Sequence, residues 1–169
     1  MLVNGSSALA RRAVALALAA SLGVSACTPG GTPMTDAQLH DLATRYAAAW
    51  SGGEPGRLAA FYAEDGSLAV NDGAPAVGRP AVAAKAEAFM LAVPDMVVRM
   101  DSVTRGDGRA TFHWTWTGTN TGPGGTGRPV RITGYETWTL APDGLIRESK
   151  GHYDEAEYDR QVRGDATPR

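Results

Sequence analysis

Residues 129–154, Pro-Val-Arg-Ile-Thr-Gly-Tyr-Glu-Thr-Trp-Thr-Leu-Ala-Pro-Asp-Gly-Leu-Ile-Arg-Glu-Ser-Lys-Gly-His-Tyr-Asp, read as a β-hairpin. From Ile132 to Leu140 the even positions are Ile132, Gly134, Glu136, Trp138 and Leu140, and the odd ones are Thr133, Tyr135, Thr137 and Thr139. A period of two in β-branched and aromatic residues predicts a half-buried strand. Ala141-Pro142-Asp143-Gly144 supplies the turn, with Pro142 pre-setting its φ and Gly144 taking the left-handed position of a type I turn with a bulge. A three-residue loop of this kind sets Ala141 opposite Leu145. Trp138 should then face Glu148, Glu136 should face Lys150 and Gly134 should face His152. A carboxylate in the middle of an apolar strand face is expensive to bury without a partner. Glu136, with Lys150 opposite and His152 diagonal to it, is therefore the first candidate for chemistry.

The strands before this hairpin extend the same pattern. Met96, Val98 and Met100 alternate with Val97, Arg99 and Asp101; after the turn Arg105-Gly106-Asp107-Gly108, Ala110, Phe112, Trp114 and Trp116 alternate with Thr111, His113, Thr115 and Thr117. A Gly/Thr loop from Gly118 to Gly127 leads into the hairpin. Helical signals come earlier. Thr35-Asp36-Ala37-Gln38 has the form of a capping box, followed by Leu39, Leu42, Ala43, Tyr46 and Trp50 as one apolar stripe. Pro55 suits the first turn of a short second helix carrying Leu58, Phe61 and Tyr62, and Leu68-Ala69-Val70 reads as a short strand. Arg79-Pro80 opens a third helix to about Leu91, with Val82, Ala86, Phe89 and Met90 on its buried side. Residues 155–162 add a further helical turn or two. Three helices with one early strand, then about four antiparallel strands, predict an α+β domain with helices on one face of a curved sheet.

The first 26 residues stand apart from this domain. Arg11-Arg12, the apolar run from Ala13 to Ala20 and the small residues up to Ala26 give the basic, hydrophobic and cleavage regions of an export signal, and the hydrophobic run is too short to span a bilayer. Val24-Ser25-Ala26-Cys27 resembles the bacterial lipobox, which implies lipidation of Cys27 and attachment to the extracytoplasmic face of the cell membrane; the other reading is an ordinary signal with an incidental cysteine. Cys27 is the only cysteine, so no intrachain disulfide can form. Residues 27–34 read as a Pro/Gly tether, 35–163 as the folded domain and 164–169 as a polar tail. The segment 1–26 holds two arginines and no acids, so its removal takes the formal charge from −2 to −4. An acidic domain without a Lys/Arg cluster argues against nucleic acid, and against binding anionic lipid through the protein surface.

Arg45-Tyr46-Ala47-Ala48-Ala49-Trp50-Ser51-Gly52-Gly53-Glu54, Phe61-Tyr62-Ala63-Glu64-Asp65, Gly78-Arg79-Pro80-Ala81-Val82, Val93-Pro94-Asp95, Thr117-Gly118-Thr119-Asn120-Thr121-Gly122, Thr126-Gly127-Arg128-Pro129-Val130, Asp143-Gly144-Leu145-Ile146-Arg147-Glu148 and Tyr153-Asp154 through Gln161 occur in the order typical of SnoaL-like proteins. The chain thus resembles, over roughly residues 38–163, that branch of the nuclear-transport-factor-2-like superfamily. The resemblance implies a cystatin-like cone whose bent sheet and helices enclose a cavity, used in the family by polyketide cyclases, ketosteroid isomerases and epoxide hydrolases. It places Glu136 where cyclases and isomerases carry an acidic residue, and Tyr46 where isomerases have their oxyanion-hole tyrosine. Other positions depart from the pattern: the isomerases' base falls on Val70, the cyclases' loop histidine on Asn120, and a common last-strand tryptophan on Lys150. Relatives often pair through the outer sheet face; here that face is rich in threonine, which predicts at most a weak, polar homodimer.

Candidate roles follow. Glu136 and Lys150 form either a tuned acid/base pair or a structural ion pair. His152 is either a proton carrier or a hydrogen-bonded wall residue, while His113 falls on the outer face and His40 on a solvated helix face. Tyr46, Trp50, Tyr62, Met96, Met100, Trp114, Trp116, Asn120 and Trp138 are the candidate ligand contacts, and they suit a flat, small hydrophobic molecule. The sequence shows no nucleophile elbow, phosphate loop or dinucleotide fingerprint, and His152-x-Asp154 lacks a third metal ligand, so neither cofactor nor metal is expected. Two functions stay open: cofactor-free acid/base catalysis (cyclisation, isomerisation or epoxide opening), or a tethered module that binds a ligand without reaction.

Overall fold

A computed structural model describes residues 34–164. Cys27, the expected signal, most of the tether and the end of the tail lie outside the described residues.

Helix α1 (Asp36–Ser51) starts at Thr35, whose hydroxyl accepts from the Gln38 amide while the Gln38 side chain accepts from the Thr35 N–H, the expected capping box. Its stripe of Leu39, Leu42, Ala43, Tyr46 and Trp50 is buried. At its end Ser51 Oγ accepts from Val98 N at 2.9 Å, tying the helix to the sheet. Helix α2 (Pro55–Ala59) is shorter than predicted. Tyr62 already begins strand β1 (Tyr62–Val70), which is joined by the two-residue β2 (Ala76–Val77) before helix α3 (Arg79–Ala92). Strands β3 (Val97–Gly106), β4 (Arg109–Thr119), β5 (Pro129–Leu140) and β6 (Ile146–Tyr153) follow, and helix α4 (Glu155–Arg163) packs beside β5.

One six-stranded sheet has the order β2-β1-β6-β5-β4-β3, antiparallel except where β1 runs parallel to β6. Its ladder shifts at three places, in β1–β6, β3–β4 and β5–β6. Such bulges bend strands and increase their twist, which is how the sheet curls around α1 and α3. The core fills that concavity: Tyr46, Tyr62, Phe112 and Trp138 are fully buried, with Phe112 stacked on Trp138 at 4.9 Å and Tyr46 edge-on to both. The predicted α+β cone is the observed fold.

The β5–β6 hairpin keeps its expected turn but not its expected register. Gly144 has φ +85°, and Ala141 N donates to Leu145 O at 2.8 Å. Leu140 pairs with Ile146 as predicted. Arg147 is then left unpaired, so that Thr139 meets Glu148, Trp138 meets Ser149, Thr137 meets Lys150, Glu136 meets Gly151 and Tyr135 meets His152. One inserted residue moves each later side chain of β6 to the opposite face.

Candidate active site

The bulge determines what surrounds Glu136. Opposite it lies Gly151, with no side chain, and diagonal to it Ser149, which is fully buried. Glu136 Oε2 accepts from three donors: Ser149 Oγ at 2.6 Å, Tyr46 Oη at 2.9 Å and Trp138 Nε1 at 3.0 Å. Behind Tyr46 stands Tyr62, their hydroxyls 2.7 Å apart. A phenol has one hydrogen; since that of Tyr46 goes to Glu136, Tyr62 must be the donor in this second bond. The relay runs from Tyr62 through Tyr46 to Oε2.

All three donors converge on one oxygen, and Oε1 accepts from none of the described residues. Tyr46, Trp138 and Ser149 stand outside the cavity, whereas Glu136 lines it, so Oε1 is the oxygen turned toward the open space. Burial pushes the Glu136 carboxyl above its ordinary range, against the hydrogen bonds from Ser149, Trp138 and Tyr46, which favour the charged form. Tyr46 and Tyr62 are both held well above the usual phenol value, first by burial and then by the Glu136 charge. Both therefore remain protonated donors at neutral pH.

The cavity measures about 50 Å³ and is bordered by Trp50, Phe89, Trp114, Trp116 and Tyr153, with Leu68, Val70, Met96 and Val98 completing the apolar wall. Phe89 stands edge-on to Trp50 at 6.1 Å, Trp116 at 6.1 Å and Tyr153 at 6.5 Å, so the rings box the space from several directions. Among the described residues, Glu136 is the one charged side chain on this lining. Trp114 Nε1 and Trp116 Nε1 are buried without a hydrogen-bond partner among the described residues. This volume is far below the 300–1,000 Å³ common for drug-sized ligands; space of this size takes on the order of four or five non-hydrogen atoms.

The sequence-predicted residues divide into three groups. Trp50, Met96, Trp114 and Trp116 line the cavity with Glu136. Tyr46, Tyr62 and Trp138 stand behind it and hold the carboxylate. Lys150, His152, Met100 and Asn120 do neither. Lys150 points outward and pairs with Glu148 at 3.0 Å, which corrects the expected Glu136–Lys150 pair. His152 lies on the outer face against Tyr135, with ring centroids 5.0 Å apart, so it is not diagonal to Glu136 within the cavity. Met100 is half-buried away from the cavity lining. Asn120 organises its own loop: its Nδ2 reaches Ala92 O at 3.2 Å and its Oδ1 accepts from Thr126 N at 2.9 Å. Sequence reasoning missed Ser149 because it assumed an unbroken ladder; it placed Phe89 in the core but not in the cavity wall.

A curved α+β cone with one buried, half-satisfied carboxylate facing a small aromatic cavity is the class that fold and site define. The chain belongs to the SnoaL-like domain family, whose model matches residues 43–149, and its fold is that of the nuclear-transport-factor-2-like superfamily. A comparison with curated proteins gives no match. Among solved structures it is similar to a Catenulispora acidiphila protein of ketosteroid isomerase-like fold in complex with trimethylamine, at 21% identity and TM-score 0.66, over 76% of this chain and 98% of the other. It is also similar to TsrD from Streptomyces laurentii, at 20% identity and TM-score 0.65 over 76% and 96%. A phenazine biosynthesis-related protein from Pseudomonas aeruginosa matches at 15% identity and TM-score 0.62 over 79% and 92%.

Proposed function

We propose that this domain takes a compact, largely apolar small molecule into its aromatic cavity and exchanges a proton with it at Glu136 Oε1, without a cofactor. One observation carries the reading: three donors saturate Oε2 and leave Oε1 free on the cavity. A carboxylate fixed on one oxygen and open on the other is oriented for general acid/base work, and its elevated pKa brings it toward the pH at which such groups act. Cyclisation, isomerisation and epoxide opening each need at least one such transfer, and an isomerisation also returns the proton it removes. The trimethylamine held by the Catenulispora acidiphila protein supports a compact occupant. The experiment is to incubate purified protein with small carbonyl compounds, epoxides and amines in deuterated water and follow deuterium uptake and turnover by NMR. Loss of both in Glu136→Gln, with the fold retained, supports the reading; equal behaviour of the two proteins defeats it.

A second reading, a binding module without reaction, is favoured by Tyr46. Its hydroxyl is engaged by Glu136 behind the cavity wall, so Tyr46 does not face the occupant as an oxyanion donor.

The localisation inferred from the sequence is export and anchoring through lipid on Cys27. Met34, where the described chain begins, lies beside the β3–β4 and β5–β6 turns, with its carbonyl accepting from Arg105 at 2.9 Å. Trp50 and the cavity stand at the other end of α1, whose 16 residues span roughly 24 Å. A tether entering there meets the domain at the end of α1 opposite to the cavity.

A further inference from the structure

The cavity combines three properties that select one kind of occupant. Its walls are aromatic on several sides: Trp50, Trp116 and Tyr153 each stand edge-on to Phe89, and Trp114 lies on the same strand face as Trp116. Among the described residues its one charged group is a carboxylate with a free oxygen, and no Lys, Arg or His lines it. Its size suits four or five non-hydrogen atoms. A neutral apolar guest would satisfy the walls but leave Glu136 Oε1 desolvated and unpaired, which is costly. An anion would be repelled by Glu136. A compact cation with apolar substituents satisfies both, because ring faces attract positive charge and a desolvated carboxylate attracts it further.

We infer that the occupant of this cavity carries a small alkylated ammonium group, seated among Trp50, Phe89, Trp114, Trp116 and Tyr153 with its charge against Glu136 Oε1. This rests on the reading of the cavity as a small-molecule site and specifies the chemistry of its ligand. The carboxylate must be ionised to hold the cation, so affinity falls as pH drops through the raised Glu136 value.

The test uses choline and 3,3-dimethylbutan-1-ol, whose trimethylammonium and tert-butyl heads are the parts that enter the cavity; the two have the same shape and differ in a quaternary nitrogen against a carbon. Each is titrated into the purified full chain by calorimetry, with tryptophan fluorescence as a second signal. Choline is expected to bind about tenfold or more tightly than the neutral alcohol, and Glu136→Gln should abolish that preference. The amide oxygen of the glutamine would take the three donors and present its NH₂ to the cavity, where a donor repels a cation. Equal or tighter binding of the alcohol overturns the alkylammonium assignment and leaves the cavity reading standing. Binding of neither compound overturns this assignment; the cavity reading itself is removed if none of the carbonyl compounds, epoxides and amines of the screen binds in the same calorimetric assay. If Glu136→Gln fails to fold, the matched pair on wild type still decides, together with the loss of choline affinity at low pH.

Discussion

Glu136 lies directly opposite Gly151 across the β5–β6 ladder, and this pairing gives its carboxylate open space on one side. A β-carbon added at Gly151 would sit 3.5 Å from Glu136 Cγ and 3.6 Å from Ala69 O, both ordinary contact distances. Gly151→Ala should therefore fold, and should gain about 0.5–1 kcal/mol from reduced backbone entropy in a strand. The same methyl narrows the cavity beside Glu136. Thermal denaturation should show an unchanged or raised midpoint while ligand affinity falls; a clear loss of stability would show that the strand cannot accept the methyl.

Gly134, two residues before Glu136 on β5, is the contrasting case. An added β-carbon there would overlap the His152 carbonyl oxygen and stand 2.5 Å from Trp114 Cζ2. This glycine makes room for the Trp114 indole opposite it on β4. Gly134→Ala should destabilise by roughly 2–3 kcal/mol through overpacking, measured by urea denaturation. A change within experimental error would mean that both the Trp114 indole and the β6 backbone at His152 can give way, and that the cavity wall is softer than its packing implies.

Lys150→Met should have little effect. The Lys150–Glu148 pair is half-exposed on the outer face, and such pairs contribute about 0–1 kcal/mol. Had Lys150 been the buried partner of Glu136, removing it would cost roughly 3–5 kcal/mol. A loss of that size in denaturant titration would contradict the observed register.

These contrasts mark how far the sequence could be read. The cap at Thr35, the buried stripe of α1, the alternation of β4 and the turn at Gly144 were legible because each depends on residues adjacent in sequence. Glu136 was legible as a carboxylate on an apolar face. Its partners were not. They depend on one unpaired residue, Arg147, which carries no turn chemistry of its own, and a slip of one residue exchanges Ser149 for Lys150. The early part of β1 was hidden for a related reason: Ala63-Glu64-Asp65-Gly66 is polar and falls where the β1–β6 ladder is irregular, so no period of two appears there.

Cys27 lies outside the described residues, and its role rests on Val24-Ser25-Ala26-Cys27. If the cysteine is lipidated, Cys27→Ser should move the domain from the membrane fraction to the soluble one while leaving its thermal midpoint unchanged. Recovery of unlipidated, fully soluble wild-type protein from a bacterial host that processes lipoproteins would dispose of the anchor.

Glu136→Gln separates a proton carrier from a structural carboxylate. Burial raises the Glu136 pKa in the folded state. Between the unfolded value of about 4.3 and the raised folded value, the native state holds a proton that the unfolded chain has lost. Stability therefore falls as pH rises through that window and is level above it, the sign expected when the native state binds more protons. The glutamine cannot ionise, so its contribution to this slope disappears. Its amide oxygen can still accept from Ser149, Tyr46 and Trp138. Glu136→Gln should thus be at least as stable as wild type at neutral pH, by about 1.4 kcal/mol for each pKa unit of elevation, and should show a flatter stability profile from pH 4 upward. If Oε1 is the working oxygen, the same variant loses proton exchange with the occupant. A stabilised variant that has lost exchange fits a group retained for function at the expense of stability. A destabilised variant with exchange intact would make Glu136 a structural hub for Ser149, Tyr46 and Trp138 and would move the chemistry elsewhere.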